Sequence, residues 1–416
     1  MGEKTGALAL ALLCAACTGT DDEEAFTRED LAYLRTMALD PKVAPPIDVS
    51  NDFLRGGRAM TNATDLAVFG QQLFFDIGLS ADGTQVACSD CHSPEHWFAD
   101  ARGKQTSFGL DWTDRNSPSL VNVGYYVSFG WDGRADSLWA QGRHAFVSAK
   151  TMKGTKEKLA EQMAQRYGDR FAAIFGTPLP AQLLVDGGGK TLSEGQLDPI
   201  YQAALKAWSA YELRLVSGNS AFDRFALGDA SALDSAQRRG LHLFLGKAGC
   251  ITCHLGPHFT DNRFHNLGLE QKGVNVPGED LGRFAGLIKL RELPVSYRVT
   301  ANPPAPTEDD KGRFRTKSLR NVAQTPPYFH AGQAASLADV VWFYSQGGAH
   351  GGAGTPSPLI VPLDLTDSER ADLVAFLGSL TGDPVAPEWS CNNARPIPDA
   401  RLIPDAGRGF STRCAP

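Results

Sequence analysis

The sequence has no stretch of sustained two-residue alternation, so nothing in it announces a half-buried β-sheet. Beyond the first twenty residues, no apolar run is long enough to cross a bilayer. Net charge is small: 40 Lys and Arg against 47 Asp and Glu leave −7 over 416 residues, without a block of either sign. Such a chain gives no reason to expect nucleic acid or an anionic membrane surface as partner, although a weakly acidic face suits a basic protein. No internal repeat is expected beyond one five-residue motif. What remains is a chain with 42% hydrophobic residues, enough to bury two cores of ordinary domain size, and helical periodicity throughout. A mainly α protein follows.

Cysteine is sparse, eight in all, and half of it falls in Cys88-Ser89-Asp90-Cys91-His92 and Cys250-Ile251-Thr252-Cys253-His254. Both read C-x-x-C-H, the spacing at which two thiols capture haem vinyl groups while the next histidine reaches the iron. Thioether bonds tether the porphyrin covalently, so His92 and His254 can stay on their irons through redox cycling without a large enclosing apolar pocket. A zinc ribbon or a thioredoxin-like pair would also use C-x-x-C. Zinc ribbons, however, place their pairs roughly 15 to 20 residues apart, whereas these lie in different halves of the chain, each followed at once by histidine. Two covalently bound haem c groups are the expectation.

The start fits export. Lys4, an apolar run from Ala7 to Leu13, and Cys14-Ala15-Ala16-Cys17 precede Asp21-Asp22-Glu23-Glu24, the pattern of a secretory signal over residues 1–20. Small residues before Cys17 suit a lipoprotein signal with Cys17 lipidated, and simple cleavage without lipid is the alternative. A periplasmic or cell-envelope location agrees with haem attachment, which happens outside the cytoplasm. In an oxidising compartment the two remaining cysteines, Cys391 and Cys414, are expected as a disulfide.

Several helices are legible. Asp198 reads as a cap with Pro199 at the first helical position, followed by an apolar stripe of Ala203, Ala204, Ala207, Trp208, Tyr211 and Leu215 expected to pack between the halves. Ser336 with Asp339, and Thr366 with Glu369, open two more. Leu337, Val340, Val341 and Tyr344 share one face of the first; Leu373, Phe376, Leu377 and Leu380 follow in the second, stopped by Gly382. Gly- and Pro-rich stretches at 176–189, 301–312 and 347–362 read as surface loops.

A longer series of landmarks is similar to a known family. Leu73-Phe74-Phe75-Asp76, Leu79-Ser80, Phe98-Ala99-Asp100, Arg115 to Leu120 and Trp131 to Leu138 flank the first motif. Phe259-Thr260-Asp261, Ser318 to Asn321, Pro327 to Gly332 and Leu373 to Leu377 flank the second. In this order they resemble the bacterial di-haem cytochrome c peroxidases, including the MauG and MbnH branch that oxidises residues on partner proteins. The resemblance implies two cytochrome c-like haem domains packed together: a peroxide-reactive one over residues 27–230 and an electron-transfer one over 231–382, with an irregular Pro-rich tail from 383 to 416. His92 and His254 would be proximal ligands and Trp131 the aromatic between the irons. Asn116 with the carbonyls of Thr325 and Pro327 would hold calcium, whose preference for oxygen donors they match. His330 would make hydrogen bonds near haem and calcium. Where peroxidases of the family place a methionine on the second haem, this chain has Tyr344. By residue pattern alone it is a core tyrosine; by resemblance it is an anionic ligand favouring ferric and higher states.

The chain departs from the family at the peroxide site. Counting from Gln141, which matches a family glutamine, the distal glutamate is replaced by Thr151, and the nearby family proline by Ala145. No histidine occupies Ser107-Phe108-Gly109, so an open first haem is expected. His144 beside Arg143 is the candidate replacement acid–base group, with a merely packed histidine as its alternative. Two functions follow: an exported enzyme that uses hydrogen peroxide to oxidise a protein donor or protein substrate, or a di-haem electron carrier or redox sensor that turns over little peroxide.

Overall fold

The structure, a computed structural model, describes residues 26–39, 63–80, 86–100 and 106–391. The expectations for the leader, Cys17 and Cys414 lie outside the described residues. Among the described residues the fold is helical: α1 (Arg28–Met37), α2 (Ala63–Phe74), α3 (Cys88–Cys91), α4 (Leu138–Val147), α5 (Lys156–Phe175), α6 (Glu194–Glu212), α7 (Ala221–Ala226), α8 (Ser235–Leu245), α9 (Arg283–Glu292), α10 (Leu337–Ser345), α11 (Asp367–Ser379) and α12 (Pro387–Ser390). Two short strands, β1 (Phe264–His265) and β2 (Phe314–Arg315), pair antiparallel with Phe264 opposite Arg315. No described helix is long and apolar enough to cross a membrane.

One core is built by α2, α4, α5 and α6 around Phe69, Phe74, Phe146, Leu205 and Trp208; a second by α8, α10 and α11 around Phe244, Phe259, Leu373 and Phe376. The cores do not divide where the chain does. Leu34 and Met37 of α1 and Phe222 of α7, all within the segment expected to form the first domain, pack in the second core, while Tyr297 and Val385 join the first.

The stripe on α6 is buried, but against α2, α4 and α5 within the first core rather than between the halves. Its helix also begins earlier than the Asp198-Pro199 pair suggested. Ser193 and Gln196 form the capping box and Pro199 sits inside the helix. The Asp198 carboxylate instead accepts from Lys156 and Gln202, both at 2.6 Å, and from the Tyr297 hydroxyl. A carboxylate with three tertiary donors has no need of the helix end. The stretch 176–189 is likewise more than a surface loop. Its Leu183 is fully buried, and Gly189 N–H donates to Glu161 at 2.8 Å.

A repeat runs far beyond the pentapeptides, against the sequence-based expectation. Ser119-Leu120-Val121-Asn122-Val123 and Ser318-Leu319-Arg320-Asn321-Val322 align, and with identical spacing Gly133, Ala135, Ser137 and Leu138 match Gly332, Ala334, Ser336 and Leu337. Their geometry repeats too. Asn122 (φ 61°) and Asn321 (φ 60°) adopt the same left-handed conformation, and isolated bridges join Phe129 to Ala135 and Tyr328 to Ala334. Ser137 and Ser336 then cap α4 and α10. In this register Trp131 corresponds to His330, Asn116 to Arg315, Pro118 to Lys317 and Ala145 to Tyr344. The copies clasp each other: Asn116 N–H donates to the His330 carbonyl (2.9 Å) and Arg315 N–H to the Trp131 carbonyl (2.8 Å).

Candidate functional site

Each pentapeptide folds as a helical turn closed by the histidine N–H on the first cysteine carbonyl, 3.0 Å for His92 and 2.9 Å for His254. The chain then doubles back through left-handed Phe98 (φ 55°) or Phe259 (φ 50°). This brings the Phe98 carbonyl 3.0 Å from His92 Nδ1 and the Phe259 carbonyl 2.9 Å from His254 Nδ1. An Nδ1–H so engaged leaves Nε2 with its lone pair, the tautomer a metal takes. Burial holds both imidazoles below their ordinary pKa; the Phe98 and Phe259 carbonyls oppose this, and the Lys317 ammonium adds to it at His92.

None of Cys88, Cys91, Cys250 and Cys253 is in a disulfide. Burial pushes the Cys88 thiol far up, and Cys250 up to about 12. Thiols so reluctant to ionise are poor redox nucleophiles. Asp261 and His265 approach Cys253 closely enough for a metal cluster, but a thioether at Cys253 removes that donor.

Around His254 lies a cavity of ≈ 450 Å³. Cys250, Cys253 and His254 form one wall, and Leu337, Val340, Val341 and Tyr344, the anticipated face of α10, another; Leu373 and Leu377 of α11 close it. Flat apolar walls with an imidazole on one side and a phenol among the lining groups fit a porphyrin with an oxygen sixth ligand. Burial raises the Tyr344 phenol well above its ordinary pKa. A buried phenol ionises only beside a compensating positive charge, which a ferric centre would provide.

The same cavity reaches Asn116, Thr325, Pro327, Trp131 and His330. The structure thus brings the three anticipated calcium donors to one space. The donor set fits a hard cation. Trp131 Nε1–H donates to the Asn116 carbonyl (2.8 Å). His330 stacks on Phe314 with centroids 3.7 Å apart and takes a bond from Gln271 at 2.8 Å. Burial lowers its pKa to about 3, so it is neutral.

The anticipated distal group is less convergent. Thr151 bonds its hydroxyl to the Ala145 carbonyl and packs on the Gly109 loop, whose Phe108 carbonyl lies 3.4 Å from Cys91 Sγ. His144 Nε2 sits 3.3 Å from the Arg134 carbonyl; burial, with Arg134 and Arg143 nearby, lowers its pKa to about 4. Arg143 lies instead over the Tyr297 ring at 5.1 Å. Gln141 buries an unpartnered Oε1.

Several charged groups had no role in the sequence reading. Asp132 is fully buried; burial opposes its ionisation, yet Arg115 and Arg134, each 2.8 Å away, hold it far below the carboxylate range. Arg115 also grips Asp280 through two bonds of 2.7 Å. Glu212, electrostatically coupled to Cys88, is pushed up to about 8 by burial. Arg315 and Lys317 flank Tyr126 and Trp131. Charged residues inside otherwise polar stretches read as solvated, so only the alternation Arg315-x-Lys317 beside a repeat landmark could have flagged them.

Comparison with known proteins agrees with this architecture. Residues 64–231 match the family described as di-haem cytochrome c peroxidase. The methylamine utilization protein MauG of Methylorubrum extorquens is 33% identical over 385 residues, covering 92% of this chain and 93% of that protein. The cytochrome-c peroxidase IdrP1 of Pseudomonas sp. is 34% identical over 364 residues, covering 81% and 84%. Among solved structures, a MauG-like protein associated with microbial copper homeostasis superposes with TM-score 0.61 at 30% identity, covering 79% of this chain and 93% of that one. The di-haem peroxidase BthA of Burkholderia thailandensis, at 21% identity and TM-score 0.63, shares the fold over 90% of this chain and 93% of its own.

Proposed function

The chain belongs to the di-haem cytochrome c peroxidase family and is an oxidoreductase of that kind with two haem c groups, and on that premise we propose that it consumes hydrogen peroxide at the His92 haem and oxidises a protein partner by way of Trp131 and a Tyr344-ligated second haem. When bound, the haems supply peroxide reduction at one site and storage of oxidising equivalents at the other. The chain's own residues decide which is which.

His92 and His254 present neutral Nε2 atoms, so neither must shed a proton before taking a metal. On α10 the side chain aimed across the second site is Tyr344; its counterpart on α4 is Ala145, whose methyl group carries no donor. That contrast carries the reading: one site is closed by an oxygen, the other left open to peroxide. Trp131 lines the cavity beside His254. Thr151 can orient peroxide through its hydroxyl, and His144, neutral at ordinary pH, can accept a proton only weakly. Calcium at Asn116, Thr325 and Pro327 would fix the inter-haem segment. The leader pattern supports a periplasmic or cell-envelope location, with Cys17 the residue that a lipoprotein signal would lipidate.

Cyanide titration of the diferric holoprotein tests this assignment. The expected result is one equivalent bound by the wild type and two by Tyr344→Phe. Two equivalents, or none, in the wild type would reject it. Stoichiometric peroxide should then produce a near-infrared charge-resonance band, the mark of two electronically coupled centres.

The second reading, an electron carrier or redox sensor, is favoured by Thr151 standing in the acid position and by the depressed basicity of His144. No spectral response to peroxide at either haem would decide for it. An unchanged peroxide rate in His144→Ala would remove that residue from the chemistry under the first reading.

A further inference from the structure

Two cations lining the cavity beside His254 have no anion. Arg315 is 4% exposed, with Nε and Nη1 buried and unpartnered, and its guanidinium lies 3.6 Å over the Tyr126 ring. Lys317, on the same side of the extended chain two residues later, lines the cavity and sets its ammonium 4.6 Å from the Trp131 centroid and 5.6 Å from that of Tyr126. Among the described residues neither makes an ion pair. The nearby carboxylates are committed, Asp132 to Arg115 and Arg134, Asp280 to Arg115. Two unpaired positive charges in one low-dielectric cavity are costly unless an anion is supplied.

Lys317 spans the two sites. Its carbonyl lies against the His254 ring, while its ammonium is felt electrostatically at His92. Pro118 occupies the matching place in the first copy, where its carbonyl lies against the His92 ring but no charge is possible. Lys317 therefore breaks the internal symmetry at a position that acts on both histidines.

We propose that Lys317, seconded by Arg315, is a shared carboxylate receptor that takes haem propionates entering the inter-haem space, and that its charge beside Trp131 sets the reduction potentials of both haems together. The proposal rests on the di-haem assignment and not on peroxide turnover. A carboxylate salt-bridged to a buried ammonium contributes little net charge at the iron. Remove the ammonium, and the bare carboxylate favours the ferric state.

The test is spectroelectrochemical titration of the holoprotein with two haems verified by pyridine haemochrome, comparing wild type, Lys317→Met and Lys317→Arg. Lys317→Gln substitutes for the methionine variant if that one fails to mature. Loss of the charge is expected to lower both midpoints, so that at a fixed poise the ferrous-to-ferric ratio falls about tenfold, while Lys317→Arg restores it. Unshifted midpoints in a charge-free variant, a shift confined to one haem, or an equal shift in Lys317→Arg would each overturn the proposal. Because the readout needs no peroxide, its failure is distinguishable from failure of the peroxidase reading, which the cyanide stoichiometry and near-infrared band report separately.

Discussion

Replacing Tyr344 by methionine exchanges an oxygen donor for a thioether, and a thioether favours reduced iron. The midpoint of the C-terminal haem should rise in Tyr344→Met; a fall or no change would mean the phenol is not on the metal. Thr151→Glu places a carboxyl where the family resemblance expects an acid–base group, and stopped-flow peroxide consumption should accelerate by about 10²-fold. Glu212 gives a pH signature. Its folded pKa, raised to about 8 by burial, lies above the unfolded value of 4.5, so the folded state holds a proton that the unfolded state has lost. Stability should therefore decline as pH rises from about 4.5 to about 8 and level off beyond, and thermal melts of Glu212→Gln should lack that slope. At this scale the C-x-x-C-H pentapeptides were legible from motif spacing and the inward face of α10 with Tyr344 from helix phase, whereas Asn116 came only from the family resemblance. Glu212, Arg315 and Lys317 were not, since nothing local distinguishes a charge that folds inward from one that stays in water.

Helix contacts were less readable than helix positions. Ser336, Asp339, Thr366 and Glu369 do cap α10 and α11, as their sequence pattern requires. The partners of α6 differ from expectation because an apolar stripe records that a face is buried and not what covers it. Gly240 shows how tight such contacts are: a Cβ there would stand 2.0 Å from the Asp372 carbonyl of α11. Gly240→Ala should push α8 off α11 and cost about 1–3 kcal/mol in denaturant unfolding. A cost near zero would mean the two helices are loosely seated. The repeat is faint in the sequence because its landmarks, Asn122 and Asn321 or Gly133 and Gly332, are backbone requirements. The side chains between them, Trp131 against His330 or Ala145 against Tyr344, have diverged to serve different ends.

Across the whole molecule, the mainly α architecture was readable from helical periodicity, but the interlock was not. Arg320 illustrates it. Its guanidinium meets Asp223 of α7 at 2.8 and 2.9 Å and donates to the Met37 carbonyl at the end of α1 (3.0 Å), tying three distant segments beneath the second site. Arg320→Met leaves Asp223 buried alone and should cost about 3–5 kcal/mol, seen as a lowered thermal midpoint with haem content unchanged. The reciprocal pair of amide bonds, Asn116 to His330 and Arg315 to Trp131, has a consequence of another kind. Each half offers a donor that only the opposite half can satisfy, at matching places in the repeat, which is the signature of a two-fold interface. The two copies are thus joined by a pseudo-two-fold pair of backbone bonds, while the matching helix position holds Ala145 in one copy and Tyr344 in the other.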